Sequence, residues 1–154
     1  MRYLLTLHLL ATLIWVGGMF FAHMALRPAA NATLAPPQRL PLMAAVFGRF
    51  FPWVWLSVVT LLATGYAMLL GYLGGFASAA PYVHAMAGIA WLMTAIFLFI
   101  YFVPYPGLKR AVAAGDWPTA AVRLAWIRRL VLTNLLLGLA TTVIAGLGPL
   151  LPAP

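Results

Sequence analysis

The sequence predicts an all-α integral membrane protein, a four-helix bundle, from three observations. Its 154 residues are 66% hydrophobic and only 6% charged, with a mean hydropathy of +1.04, whereas soluble domains contain about 25% charged residues. Four apolar segments each reach the roughly 20 residues that a helix needs to cross a bilayer: about 3–26, 50–73, 81–103 and 130–151. Helices are required because lipid offers backbone groups no hydrogen-bond partner and four segments cannot close a barrel.

Basic residues predict the orientation of these spans. Eight of the nine Lys and Arg residues lie in the connections at about 27–49 and 104–129. Because basic loops stay in the cytoplasm, we expect both connections there, and both termini and the 74–81 loop on the outer, periplasmic side. The net charge of +8 is then a topological signal that also attracts anionic lipid, and we expect no nucleic-acid partner. The chain is predicted to be one multi-pass domain of a bacterial inner membrane, and its oligomeric state stays open.

Proline and capping signals predict where helices begin and end. We expect the first span to end near Pro28, because proline disfavours helical geometry in the residue before it. Pro41 is expected to break the next connection, which leaves a short interfacial helix at about Leu40–Phe50. Asp116 precedes an apolar segment and is expected to cap a fourth helix that begins near Trp117.

Small and polar residues in the fourth span predict contacts with other helices. Gly138, Thr142 and Gly146 recur every four residues and are expected to form a stripe for close helix packing. An amide inside the membrane needs a partner, so Asn134 is expected to face the bundle and make an interhelical hydrogen bond.

Two segments share a spacing of histidine and tryptophan. Seven residues separate His8 from Trp15 in the first span and His84 from Trp91 in the third. The offset of 76 residues indicates a weak 2+2 internal repeat in parallel orientation. Both spans run in the same direction, so a pseudo-twofold axis would bring His8 and His84 face to face near the outer surface. The two tryptophans would lie about 10 Å deeper.

A haem is the first interpretation of this constellation. Two opposed neutral imidazoles in apolar surroundings suit haem iron, and the macrocycle fills the gap between helices. The sequence therefore predicts a cytochrome b-like electron-transfer protein with one haem b bound by His8 and His84, above a floor of Trp15 and Trp91. The chain has no cysteine, which excludes a c-type haem attachment. A quinone or a periplasmic redox partner would exchange electrons with it, and catalytic turnover stays open.

Copper is the competing interpretation, because thioether and imidazole ligands suit copper(I). Four residues are expected near the outer face as ligands: His8, His84, Met68 and Met86. Met19 and His23 lie one helical turn apart near the inner face and would form a second copper-binding site. His23 lies fifteen residues from His8, or about 22 Å along a helix, so these two histidines do not share one site. The alternative function is a copper uptake protein or permease.

Several motifs resemble a known family. The first helix is similar to that of the CopD family of bacterial copper-resistance membrane proteins in three segments: Leu7-His8-Leu9-Leu10, Trp15-Val16-Gly17-Gly18 and Leu26-Arg27-Pro28. The similarity extends over nearly the whole chain through three more: Tyr82-Val83-His84, Ala114-Gly115-Asp116-Trp117 and Asn134-Leu135-Leu136-Leu137-Gly138. This resemblance implies a membrane protein of copper uptake.

The first helix is also similar to that of the HemJ type of protoporphyrinogen oxidase, a four-helix membrane protein. That resemblance implies haem b binding by His8, so a haem-dependent membrane oxidase is the third and weakest prediction. The third helix of that type contains His-x-Lys, whereas this chain has His84-Ala85-Met86. Methionine in place of lysine argues against the oxidase activity and makes Met86 an alternative axial ligand.

Overall fold

Four long helical segments build the molecule. In the computed structural model, which describes residues 1–150, they extend over Arg2–Thr33, Pro36–Tyr72, Pro81–Ala113 and Trp117–Leu150. Each is long and apolar enough to cross a membrane, which confirms the predicted all-α, four-helix membrane fold. Residue 151, where the predicted fourth span ends, lies outside the described residues. The positions at which the helices enter the bilayer stay a prediction.

The first segment continues through its proline. It consists of α1 (Arg2–Phe21), a π-helical turn (Ala22–Leu26) and α2 (Arg27–Thr33), so the predicted end near Pro28 is wrong. The N–H of Arg27 donates to the carbonyl of Ala22, five residues earlier, and this wider turn shifts the hydrogen-bond ladder just before the proline. Pro28 then lies in the first turn of α2, where its missing N–H is not required.

The second segment is one continuous helix, α3 (Pro36–Tyr72), which contains Pro41 and Pro52. The predicted break at Pro41 and the separate helix over Leu40–Phe50 are therefore wrong. A proline removes one backbone hydrogen bond of a helix, but buried side chains flank both prolines of α3, and their packing offsets that loss. The connection expected at 27–49 is helical except at residues 34 and 35.

The third and fourth segments comprise α4 (Pro81–Phe102), α5 (Pro104–Ala113) and α6 (Trp117–Leu147). The connection expected at 104–129 is thus mostly helical as well. Asp116 caps α6 as predicted, because its carboxylate accepts the N–H of Thr119 at 3.1 Å.

Both ends of the described chain lie beside the connection at residues 73–80. The amino group of Met1 donates to the hydroxyl of Tyr72 at 2.8 Å, and Gly148 packs against the ring of Tyr82. We call this end of the bundle the outer end and the opposite one the inner end. The predicted orientation of these ends in the membrane stays a prediction.

The helices pack in pairs around an aromatic core. Helix α1 contacts mainly α3, and α6 contacts mainly α4 and α5. Across the centre, the ring of Phe97 lies 6.2 Å from that of Trp15 and 5.7 Å from that of Phe51. These edge-to-face contacts are favourable for aromatic rings, and they join α1, α3 and α4.

Close packing of α6 occurs at one glycine of the predicted stripe. A Cβ at Gly138 would lie 2.7 Å from Cγ2 of Val16 and 3.3 Å from Cε of Met93, so α6 approaches both α1 and α4 there. Among residues 1–150, nothing lies within 4 Å of a Cβ at Gly146. The stripe prediction is therefore confirmed at Gly138, whereas Gly146 packs against no other helix in this part of the chain.

Candidate functional site

The imidazole of His8 is oriented by a hydrogen bond between α1 and α3. Its Nδ1 lies 2.8 Å from Oγ1 of Thr64, and the Thr64 hydroxyl donates its only proton to the carbonyl of Thr60 at 2.6 Å. The Thr64 oxygen therefore accepts the bond from His8, which places the imidazole proton on Nδ1. Nε2 keeps its lone pair, as in metal-binding histidines whose other nitrogen is held by a second residue.

A methionine of α3 shares the side of the helix that faces His8. Met68 lies one turn from Thr64 toward the outer end, and residues four apart lie on the same helix face. Both Met68 and His8 are half-buried. A Cβ at Gly65 would lie 3.5 Å from Cε1 of His8, so the backbone of α3 lies close to the imidazole.

His84 has different neighbours from His8. Its side chain is exposed, and its ring lies 5.7 Å from that of Phe76, in the connection between α3 and α4. His8 instead contacts Thr64 of α3. The structure therefore does not support one haem bound between the two histidines.

The two tryptophans also have different environments. Trp15 is only 4% exposed and packs in the core, whereas Trp91 is 50% exposed and donates from Nε1 to the hydroxyl of Tyr66 at 3.0 Å. They form no common floor beneath a haem. Met86 is half-buried on α4, two residues from His84, so their side chains project from different sides of that helix. Trp15 and Trp91, which are equivalent in the sequence repeat, therefore have different surroundings in the fold.

Met19 and His23 line neighbouring cavities at the inner half of the bundle. Met19 is 3% exposed and borders a cavity of about 20 Å³ that Asn134 also lines. His23 borders a larger cleft of about 180 Å³. Ala22, the first residue of the π-helical turn, lines both, so one helical turn separates the two side chains and their two cavities.

Asn134 is buried and makes the predicted interhelical bond. Its Nδ2 donates to the carbonyl of Met93 at 3.0 Å. Its Oδ1 has no hydrogen-bond partner among the described residues, and such orphaned buried groups are uncommon. The small cavity beside it is large enough for one water molecule.

Sequence reasoning missed the larger cleft, which we call the inner cleft. Three arginines from three different helices line it: Arg27 of α2, Arg39 of α3 and Arg128 of α6. They are far apart in the chain, and each fits the general excess of basic residues at one membrane side. No local motif therefore distinguished them from the other basic residues.

A metal site in this bundle would need methionine sulfur as well as histidine nitrogen. Among residues 1–150, no three His, Cys, Asp or Glu side chains are grouped so that they could hold a metal ion. A site centred on Nε2 of His8 would therefore depend on thioether ligands, for which Met68 is the candidate on the facing side of α3.

The fold defines a four-helix membrane protein in which His8 of α1 is held against Thr64 of α3. A family model described as Copper resistance protein D matches residues 44–147. Since this is more than half of the chain, the protein belongs to the CopD family, which is a family of membrane proteins. No curated protein and no solved structure matches it. The similarity to HemJ stays a prediction.

Proposed function

We propose that this protein is a bacterial inner-membrane copper uptake protein that binds copper(I) through His8 at the outer end. The observation that supports this proposal is the 2.8 Å contact between Nδ1 of His8 and Oγ1 of Thr64. Because the Thr64 hydroxyl donates to the carbonyl of Thr60, we assign the imidazole proton to Nδ1 and a free lone pair to Nε2. Membership of the copper-resistance family favours copper over iron as the bound metal.

We reduce the four predicted outer copper ligands to two, because they lie on different helices. His8 and Met68 belong to the facing sides of α1 and α3, whereas His84 and Met86 belong to α4. Imidazole and thioether together suit copper(I), a soft ion that accepts few ligands. We therefore assign His8 and Met68 as the first copper ligands, and leave His84 outside the site.

The inward face of α1 provides the proposed route through the bundle. Its buried residues are Ala11, Trp15 and Met19, in helical register with His8. Met19 lies eleven residues beyond His8, about 16 Å along the helix, and His23 lies one turn further. Because Trp15 is packed against Phe97, movement of copper from His8 to Met19 requires this aromatic contact to open.

Binding of copper(I) to the purified protein tests the site. The protein in detergent, kept reduced, competes with a coloured copper(I) chelator, and the chelator absorbance reports the copper that the protein takes. Wild type should bind one equivalent. His8→Ala should lose it and Met68→Leu should bind it more weakly, whereas His84→Ala, which removes a histidine outside the site, should match wild type.

Copper accumulation in cells tests the uptake step. Cells that produce wild type should accumulate more copper than cells that produce His8→Ala, at equal protein levels. Equal copper affinity of His8→Ala and wild type would contradict the site, and equal accumulation would contradict uptake. A Soret band lost in both His8→Ala and His84→Ala would instead support the haem b hypothesis, to which the quinone and redox-partner predictions belong.

A further inference from the structure

The inner cleft has a strongly basic lining without a compensating acid. Arg27, Arg39 and Arg128 line it together with His23 and Asn31. The charges of Arg27 and Arg128 both act on the imidazole of His23, and the charge of Arg128 acts on Arg27. These groups are thus close enough to repel one another, and a ligand of opposite charge would relieve that repulsion.

No side-chain carboxylate is placed to supply this charge. Asp116 is the only acidic residue of the sequence, and it is held at the N-terminus of α6 by Thr119. Arg128 lies twelve residues further along α6, about 18 Å from that cap.

The three arginines are less exposed than most of the basic residues around them. Arg27, Arg39 and Arg128 are half-buried, as is Arg123, which packs against Gly107 outside the cleft. The other four basic residues at this end are exposed: Arg49, Lys109, Arg110 and Arg129. The charge of an exposed guanidinium is solvated by water and screened by salt. A half-buried one depends more on a fixed partner, because desolvation penalises an unpaired charge.

The shape and the walls of the cleft indicate the kind of anion. Its volume of about 180 Å³ exceeds the roughly 150 Å³ of an apolar cavity that admits benzene. One guanidinium group can bind both oxygens of a carboxylate through two parallel hydrogen bonds. A phosphate has further oxygens, which can bind a second guanidinium group. The remaining lining is apolar and belongs to three helical segments: Ala22, Leu26, Leu40, Met43, Val46, Phe47, Ala121, Leu124, Ala125 and Val131.

We propose that the inner cleft binds a phosphate group, and that its apolar walls favour the phosphate of an anionic phospholipid. Basic pockets between membrane helices bind such headgroups, and eight of the nine basic residues lie toward this end of the bundle. A free phosphate ion has the same charge chemistry but no apolar part to contact these walls. The site is separate from the proposed copper site at His8, so either proposal can fail without the other.

Lipid binding by the copper-free protein tests this site. Purified protein in detergent is titrated with phosphatidylglycerol or with phosphatidylcholine, and bound lipid is counted by native mass spectrometry. Wild type should bind one phosphatidylglycerol in preference to phosphatidylcholine. Arg128→Gln should weaken that binding about tenfold or more, the size expected for a lost charged hydrogen bond.

Arg129→Gln is the matched control, because it removes the same charge from the next residue, which is exposed and outside the cleft. It should change the dissociation constant less than about twofold, as expected for an exposed charge. Arg27→Gln removes a cleft charge from another helix and should reproduce the loss, even if Arg128→Gln does not fold.

Competition with inorganic phosphate separates the two sources of the phosphate group. Weak displacement of phosphatidylglycerol by inorganic phosphate supports the lipid, and displacement at equal affinity supports a phosphate site for a soluble ligand. Equal weakening by Arg128→Gln and Arg129→Gln would overturn the proposal, because it would indicate general attraction to the basic surface. Equal binding of phosphatidylcholine would overturn it as well.

Discussion

Nδ1 of His8 lies 2.8 Å from the hydroxyl oxygen of Thr64 on the neighbouring helix. The Thr64 hydroxyl donates its own proton to the carbonyl of Thr60, so we assign His8 as the donor in this bond. Two consecutive hydrogen bonds therefore fix both the rotamer and the tautomer of His8, so that Nε2 can act as a ligand.

Replacement of Thr64 by valine tests the importance of this orientation. Thr64→Val keeps the shape of the side chain but removes the acceptor for Nδ1–H. Loss of such a supporting residue typically lowers metal affinity 10- to 100-fold, so we expect copper(I) affinity to fall by about that range. Chelator competition measures it, and nitrogen NMR of labelled histidine should show that His8 no longer favours the Nδ1–H tautomer.

Thr60→Val is the control for this substitution. The backbone carbonyl of Thr60 accepts the hydrogen bond from the Thr64 hydroxyl, and the substitution keeps that carbonyl. Copper affinity should therefore stay within about twofold of wild type, because the donor–acceptor pattern is unchanged. If Thr64→Val also left the affinity unchanged, the hydrogen bond to His8 would have no role in copper binding.

The importance of His8 could be predicted from the sequence, but its partner could not. An ionisable residue in an apolar helix is a functional candidate, and that reasoning selected His8. The pairing with His84 relied on symmetry between two weakly similar segments. That symmetry does not determine that His8 pairs with Thr64 of α3, or that His84 packs against Phe76 of the connection between α3 and α4.

The number of helices could be predicted more reliably than their ends. Apolar length determines that a segment crosses the membrane, and Asp116 marked the start of α6 correctly. Pro28 and Pro41 were misleading because a single proline removes only one backbone hydrogen bond. A π-helical turn accommodates the first, and packing of the flanking side chains supports the second, neither of which is visible in local sequence.

The glycines of α6 allow a matched test of helix packing. Gly138→Ala places a methyl group 2.7 Å from Val16 and 3.3 Å from Met93, so α1 or α4 must move. Such overpacking typically costs 1–3 kcal/mol, and we expect the free energy of unfolding to fall by about that much. Unfolding in mixed detergent micelles measures it.

Gly146→Ala is the control on the same helix, because the residue is exposed and no described residue lies within 4 Å of the position that its new methyl group would take. Alanine favours a helix over glycine by up to about 1 kcal/mol, so this variant should be neutral or slightly more stable. Equal destabilisation by both alanines would contradict the close approach of α6 at Gly138.

Substitution of Asn134 tests how its Oδ1, which has no partner among the described residues, affects stability. Asn134→Leu removes both the unpartnered Oδ1 and the bond from Nδ2 to the carbonyl of Met93. Interhelical hydrogen bonds in membranes average about 0.6 kcal/mol, and removal of an unsatisfied buried oxygen offsets this loss. We therefore expect the free energy of unfolding to change by less than about 1 kcal/mol.

Asn134→Asp is the contrasting variant. It loses the donor to Met93 and adds an ionisable group inside the membrane, which costs at most about 2.5–3.5 kcal/mol, the value for the centre of a spanning helix. Unfolding in mixed micelles should rank the three proteins as wild type near Asn134→Leu, with Asn134→Asp the least stable. A larger loss for leucine than for aspartate would contradict this ranking, because both variants lack the Nδ2 bond and only aspartate adds an ionisable group.

Asp116 should govern the acid sensitivity of the inner end. Hydrogen bonding from the side chain and then from the backbone N–H of Thr119 lowers the pKa of Asp116 below its ordinary value, so the folded state favours the carboxylate. Its contribution to stability is therefore complete above the ordinary carboxyl pKa of about 3.9 and is lost as the pH falls through the lowered pKa. Thermal unfolding in detergent at pH 7, 5 and 3 measures this loss.

Asp116→Asn separates the charge from the cap in the same experiment. Asparagine remains a good N-cap residue at every pH, so the unfolding midpoint of this variant should depend less on pH than that of wild type. Because Asp116 is the only acidic side chain in the sequence, the two proteins differ in no other titrating side chain between pH 3 and 5. The same decrease in both midpoints would assign the acid sensitivity to a group other than this cap, such as the terminal carboxylate.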